Sequence, residues 1–195
     1  MNPRGDRGAA LRVYRPEVPE GYEWAQPVNS SDFEAFRGVP GDDEPDWSTP
    51  EMTLLVTDER GKAQRFAHLP WLGSHVLVLR DEAIEAIGPL VAPHGQVLPL
   101  RASGARLAVF RPPLLAGALD EQASEVVRFS SGHIMDLRVP VFRPSVVASA
   151  SAFVLAEMPR GSMYLSGELV DAILATGYSS GTDFRLVFEA SDPVD

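Results

Sequence analysis

The chain has 195 residues, no cysteine and a formal net charge of −10, with 45% hydrophobic and 23% charged residues. A chain of this length buries a core without covalent staples, and without cysteine it has neither disulfides nor thiolate metal sites. The acidic balance argues against direct nucleic-acid contact, which needs clustered Lys and Arg, and leaves a basic partner open.

The charge is unevenly placed: +3 over residues 1–16, −11 over 17–59 and −2 over the remainder. The opening stretch MNPRGDRGAALRVYR has no apolar segment of the signal-peptide type, and no apolar run approaches a membrane span. A soluble, cytoplasmic protein is the expectation. Residues 11–15 suit a short strand. Residues 16–50 are rich in Pro, Gly and acids, yet Trp24, Phe33, Phe36 and Trp47 make the stretch too aromatic for a solvated linker. It reads as an irregular segment that lays its aromatics on the body, with a turn of helix over 31–37. The run GDDEPD, holding Asp42, Asp43, Glu44 and Asp46, reads as an exposed loop. The expected division is an acidic, Pro/Gly-rich extension over 1–50, an α+β domain over 51–190 and a frayed tail over 191–195.

Residues 52–57 form a strand pattern, DERGK at 58–62 a turn, and 63–66 a returning hairpin strand. A strand follows over 74–79. Asp81 is placed to cap a helix with Ile84, Ile87, Leu90 and Val91 on one side. Pro89 should end that helix near Ile87, because proline lacks the donor and crowds the preceding turn. Residues 96–100 and 106–110 read as paired strands. Residues 114–124 are ambiguous between a short helix and a loop. Strands follow over 126–130 and 133–139, a broken or edge strand over 141–143 between Pro140 and Pro144, a loop over 146–152 and a strand over 153–158.

The clearest unit is SMYLSGELVDAILATGYSSGTDFRLVF at the C-terminal end. Met163 to Leu165 form a strand, and Ser166 caps a helix with a stripe of Leu169, Val170, Ile173 and Leu174. Gly177 stops the helix, and the alternation around Phe184, Leu186 and Phe188 makes a strand. Sliding the chain by 86 positions lays residues 79–100 on 165–186 with six identities in 22 positions. Chance at about 6% per position gives about one. These are Leu79, Glu82, Ala86, Ile87, Gly95 and Leu100 on Leu165, Glu168, Ala172, Ile173, Gly181 and Leu186. An internal repeat or the convergence of two capped strand–helix units accounts for this. The fold class is α+β, with a mixed, mostly antiparallel sheet and two main helices.

Motifs of chemistry are few. There is no phosphate-binding glycine loop, no nucleophile elbow and no His-Glu-x-x-His pair. The four histidines, His68, His75, His94 and His133, are far apart. Ser130, Ser131, His133 and Asp136 are the residue types of a hydrolytic triad, but a Ser-to-His step of two residues does not supply triad geometry, and a polar turn explains them. Asp120, Glu121 and Glu125 are of the type that serves as an acid–base pair, but a capped turn is the preferred reading of them. No cofactor, metal site or catalytic residue is expected.

The order of elements from LPWLGSHVLVLRDEAIEAI through VLPL, ARLAVFRP, ALDEQASE, VPVFRP and SAFVLAEM to MYLSGELVDAILATGYSSGTDF resembles the Imm11-type (MXAN-0049, DUF1629) family of bacterial immunity proteins. The matching pieces are the strand–helix start over 76–87, the Leu-Asp element over 119–124, the strand over 153–157 and the strand entry over 181–184. The likeness covers roughly the C-terminal two-thirds and leaves the acidic N-terminal segment out. It implies a non-enzymatic protein of a polymorphic toxin system, active in interbacterial competition. Such a protein binds a toxin encoded beside it and protects the producing cell by occlusion. The resemblance supplies no catalytic residues. Candidate toxin contacts are Asp42, Asp43, Glu44 and Asp46, which can mimic phosphates and steer a basic partner; Asp120, Glu121 and Glu125 as a second patch; and Trp24 or Trp47 as an interface anchor, with core packing the alternative for each tryptophan. An enzyme of hydrolase type and a scaffold subunit are the rival readings.

Overall fold

The structure, a computed structural model, describes residues 10–37 and 47–190. It is an α+β fold with two five-stranded sheets, a separate hairpin and two main helices. The first sheet runs β12-β1-β11-β10-β7, with β1 Leu11–Glu17, β7 Leu114–Leu115, β10 Ala152–Leu155, β11 Met163–Ser166 and β12 Asp183–Ala190. The second runs β2-β3-β5-β6-β4, with β2 Trp24–Pro27, β3 Glu51–Leu55, β4 Leu77–Arg80, β5 Gln96–Ala102 and β6 Leu107–Arg111. The hairpin pairs β8, Glu125–Arg128, with β9, Ile134–Val139. The main helices are α2, Glu82–Val91, and α4, Gly167–Ala175; α1, Phe33–Arg37, and α3, Pro144–Val147, are single turns.

Alternation along the strands splits the core into three clusters. The central one takes Leu77 and Leu79 from β4, Phe110 from β6, Met163 and Leu165 from β11, and the buried stripes of α2 and α4. The intervening residues serve the opposite faces. Val78, Leu107 and Val109 pack with Ala25, Phe36 and Met52. Tyr164, Phe153 and Leu155 pack with Val13, Phe142 and Leu137.

The 86-residue offset holds in three dimensions: it carries Leu77–Arg80 onto Met163–Ser166. In each unit the two strands flanking the helix lie parallel, with one antiparallel strand between them. That strand is β6 for the first unit and β1 for the second. The equivalent glycines do equivalent work. A Cβ on Gly95 would lie 2.4 Å from the Arg111 carbonyl, and one on Gly181 would lie 2.4 Å from the Ala67 Cβ. Backbone passes too close at both helix exits for any side chain.

Several expectations are corrected. Residues 11–27 are not an extension laid on the body: β1 is an interior strand of one sheet and β2 pairs with β3 in the other. In the first unit the strand after β5, β6, fills the middle place; in the second unit β1 fills it. Helix α2 runs through Pro89 to Val91. Burial of Val91, 0% exposed, outweighs the lost hydrogen bond near the helix end. Asp81 occupies the N-cap position without making the cap bond. Its φ is +50°, and its carboxylate instead accepts the Arg106 backbone N–H at 2.9 Å. The return over 63–66 is reduced to a single bridge between Thr57 and Ala63. Residues 114–124, open between a short helix and a loop, form the two-residue β7 and a turn. By contrast Ser166 caps α4, accepting from the Leu169 N–H at 3.3 Å, and Gly177 leaves the helix at φ +77°.

Candidate interaction surface

Trp24 and Leu55 face one another across the β2–β3 pair, as do Ala25 and Leu54. The period of two sends Ala25 and Leu54 into the core and leaves Trp24 44% and Leu55 37% exposed on the other face. With Val18 and Tyr22 they floor a cleft of about 390 Å³, and Glu20, Asp58 and Glu59 stand at its edge. Three segments build it: the loop after β1, the start of β2 and the turn after β3.

The surroundings hold this surface still. The far edge of β2 is fixed by hydrogen bonds from Glu23 N–H to the Arg65 carbonyl at 3.0 Å and from Ala25 N–H to the Trp71 carbonyl at 2.9 Å. Glu23, 8% exposed, pairs with the Arg80 guanidinium, and its carboxylate accepts the Ala67 N–H at 3.3 Å. Arg80 also lies over the Phe66 ring, 4.1 Å from its centroid, and pairs with Asp81 at 3.2 Å. A pair buried this deeply is a structural tie, since losing either partner strands a charge. Next to the cleft, the hydrogen bond from Arg15, joined by one from Arg185, holds the Glu17 carboxyl below the usual carboxylate range.

The remaining candidates fall in different settings. Asp42, Asp43, Glu44 and Asp46 lie outside the described residues. Asp120 turns its carboxylate back onto the Gln122 and Ala123 N–H groups, both at 3.2 Å. Glu121 pairs with Arg128, and Glu125 with Arg138 at 3.2 Å, on an exposed surface. Trp47 packs inward: its Nε1–H donates to the Pro99 carbonyl at 2.7 Å and its ring meets Phe36 edge-on. The structure thus brings Trp24 together with acids, and leaves Trp47 and the 120–125 group elsewhere. Nothing in the sequence sets Glu20, Asp58 and Glu59 apart from the other nine acids of residues 17–59. The cleft's one signal was the apolar run Leu54-Leu55-Val56, which violates strand alternation at its exposed end.

One Ser–His pair was invisible in the sequence. His68 Nδ1 lies 2.8 Å from Ser180 Oγ, across 112 positions. That oxygen also accepts the His68 backbone N–H at 3.2 Å. Phe66 and Tyr178 edge the imidazole. With the bond from Leu69 N–H to the Ser180 carbonyl at 2.8 Å, the pair stitches the loop before β4 to the turn before β12. Ser131 Oγ and His133 Nδ1, 3.1 Å apart, sit on the exposed hairpin turn. Among the described residues no group of three or more His, Asp or Glu is placed to hold a metal ion, and no helix is long and apolar enough to cross a membrane.

No protein-family model matches the chain, and no curated protein matches it significantly.

Proposed function

We propose that the chain is a non-enzymatic immunity protein that binds a cognate bacterial toxin encoded nearby and neutralises it by stoichiometric occlusion in the cytoplasm of the producing cell. It contacts the toxin and not the nucleic acid. Two lines support this reading: the ordered resemblance over the C-terminal two-thirds, and the character of the surface. The carrying observation is that, among the exposed large apolar side chains, Trp24 and Leu55 are cross-strand neighbours and Phe129, Met135 and Val139, 49–54% exposed, share the β8–β9 hairpin. Apolar surface grouped in this way marks protein–protein contact.

The experiment is survival. The product of the adjacent gene is expressed in a susceptible host with and without this chain. The expected outcome is killing by the neighbour alone and rescue on co-expression. Killing without rescue contradicts the reading. The His68–Ser180 pair is the observation that favours an enzyme instead; on that reading His68→Ala removes protection while the fold persists, whereas occlusion tolerates a substitution at this seam as long as the chain folds.

A further inference from the structure

The Trp24 cleft and the hairpin differ in one respect that selects between them. On the hairpin side two of the acids are ion-paired, Glu121 with Arg128 and Glu125 with Arg138, and Asp136 of β9 stands exposed. The Trp24 cleft is lined by three carboxylates and no cation among the described residues. Lys62 and Arg65 line an adjoining pocket that shares Glu20 and Asp58, but Arg65 is held at the cleft wall, 3.8 Å from the centroid of Tyr22 and donating to the Glu20 carbonyl at 2.9 Å, and the three carboxylates form no ion pair among the described residues. Asp58 is locked by the Arg60 and Lys62 backbone N–H groups at 2.9 and 2.8 Å, which fixes its charge at the lip. Glu20 and Glu59 are exposed beside it.

We propose that this cleft is the docking site for the toxin, and that its occupant is an apolar side chain flanked by Lys or Arg. The proposal rests on the immunity reading and adds the place and the chemistry of contact. The apolar floor removes the partner's side chain from water. Trp24 is an efficient anchor: it has two side-chain torsions, and its strand is held on both edges, so little freedom is lost on binding. The carboxylates attract the flanking cations and disfavour acidic partners, which yields specificity and a faster encounter.

The test uses the full chain, 15N-labelled, titrated with the peptide acetyl-Lys-Leu-Phe-Lys-amide and with its twin acetyl-Glu-Leu-Phe-Glu-amide. The cationic peptide is expected to shift the Trp24 indole N–H and the backbone signals of residues 18–24 and 55–59. It should bind about tenfold tighter than its twin at low salt, with the gap closing near about 0.5 M salt as screening sets in. Trp24→Ala should abolish the shifts, and Glu20→Gln with Glu59→Gln should weaken binding about fivefold at low salt alone. Both changes are at the surface, and an unchanged spectrum elsewhere reports an intact fold. Absence of shifts, equal affinity for the two peptides, or shifts centred on Phe129 and Met135 would overturn the proposal. Hydrogen-exchange protection by the adjacent gene's product separates the two readings. A bound toxin that protects the hairpin and leaves the cleft open overturns this docking site while immunity stands. A neighbour that does not bind, with the cationic peptide still seated at Trp24, overturns immunity while the site stands.

Discussion

Tyr164 is 4% exposed, stacked on Phe153 at a centroid separation of 5.5 Å and edge-on to Phe142 at 4.9 Å. Burial pushes its hydroxyl up to about 12. In the unfolded chain the same group ionises near about pH 10. Its contribution is therefore complete below about pH 10 and is lost as the pH rises toward about 12, with an upper bound of about 3 kcal/mol over that window. Tyr164→Phe removes this dependence. Urea midpoints measured across the window should fall more steeply for the wild type than for the variant; parallel curves would contradict the assignment. The two tryptophans carry a related lesson. Trp24 and Trp47 look alike in the sequence, and what separates them is register. Trp24 alternates with a buried Ala25, whereas Trp47 reaches the Pro99 carbonyl on a distant strand.

At the scale of elements, the paired glycines give the repeat a measurable consequence. Gly181 combines φ +97° with a crowded Cβ position, while Gly95 is crowded by the Arg111 carbonyl and the Phe110 ring. Gly181→Ala and Gly95→Ala should each destabilise by about 2–4 kcal/mol. Gly104→Ala, at φ +79° in open space, should cost about 1 kcal/mol. Chemical denaturation of the three variants checks the ranking. Local devices were legible: the Ser166 cap, the Gly177 exit and the existence of β12 are each set by neighbouring residues, but the alternation expected in β12 fails, since Leu186 is exposed and Val187 packs beside Phe188 where the pairing with β1 shifts register. Contacts between distant segments were not legible. Nothing in residues 11–17 announces a place between β11 and β12, and nothing near His68 points to Ser180, because such pairings leave no periodicity behind. The end of α2 failed for a related reason: propensity at Pro89 was readable, but the cavity that takes Val91 belongs to the tertiary fold.

For the molecule as a whole, an acidic chain, two packed strand–helix–strand units and an apolar cleft edged with carboxylates support the proposed binding role, and turnover is the rival to be tested. Occlusion and catalysis differ in their arithmetic. An occluding protein is consumed one for one, since each copy covers one toxin, while an enzyme that modifies the toxin acts repeatedly. The decisive measurement titrates the purified product of the adjacent gene, at a concentration well above the dissociation constant, with increasing amounts of this chain while residual toxin activity is followed. Occlusion predicts a linear fall that reaches its floor at about one equivalent and does not deepen with time, as tight one-to-one binding requires. Complete inactivation by a small fraction of an equivalent, progressing with incubation, would contradict it.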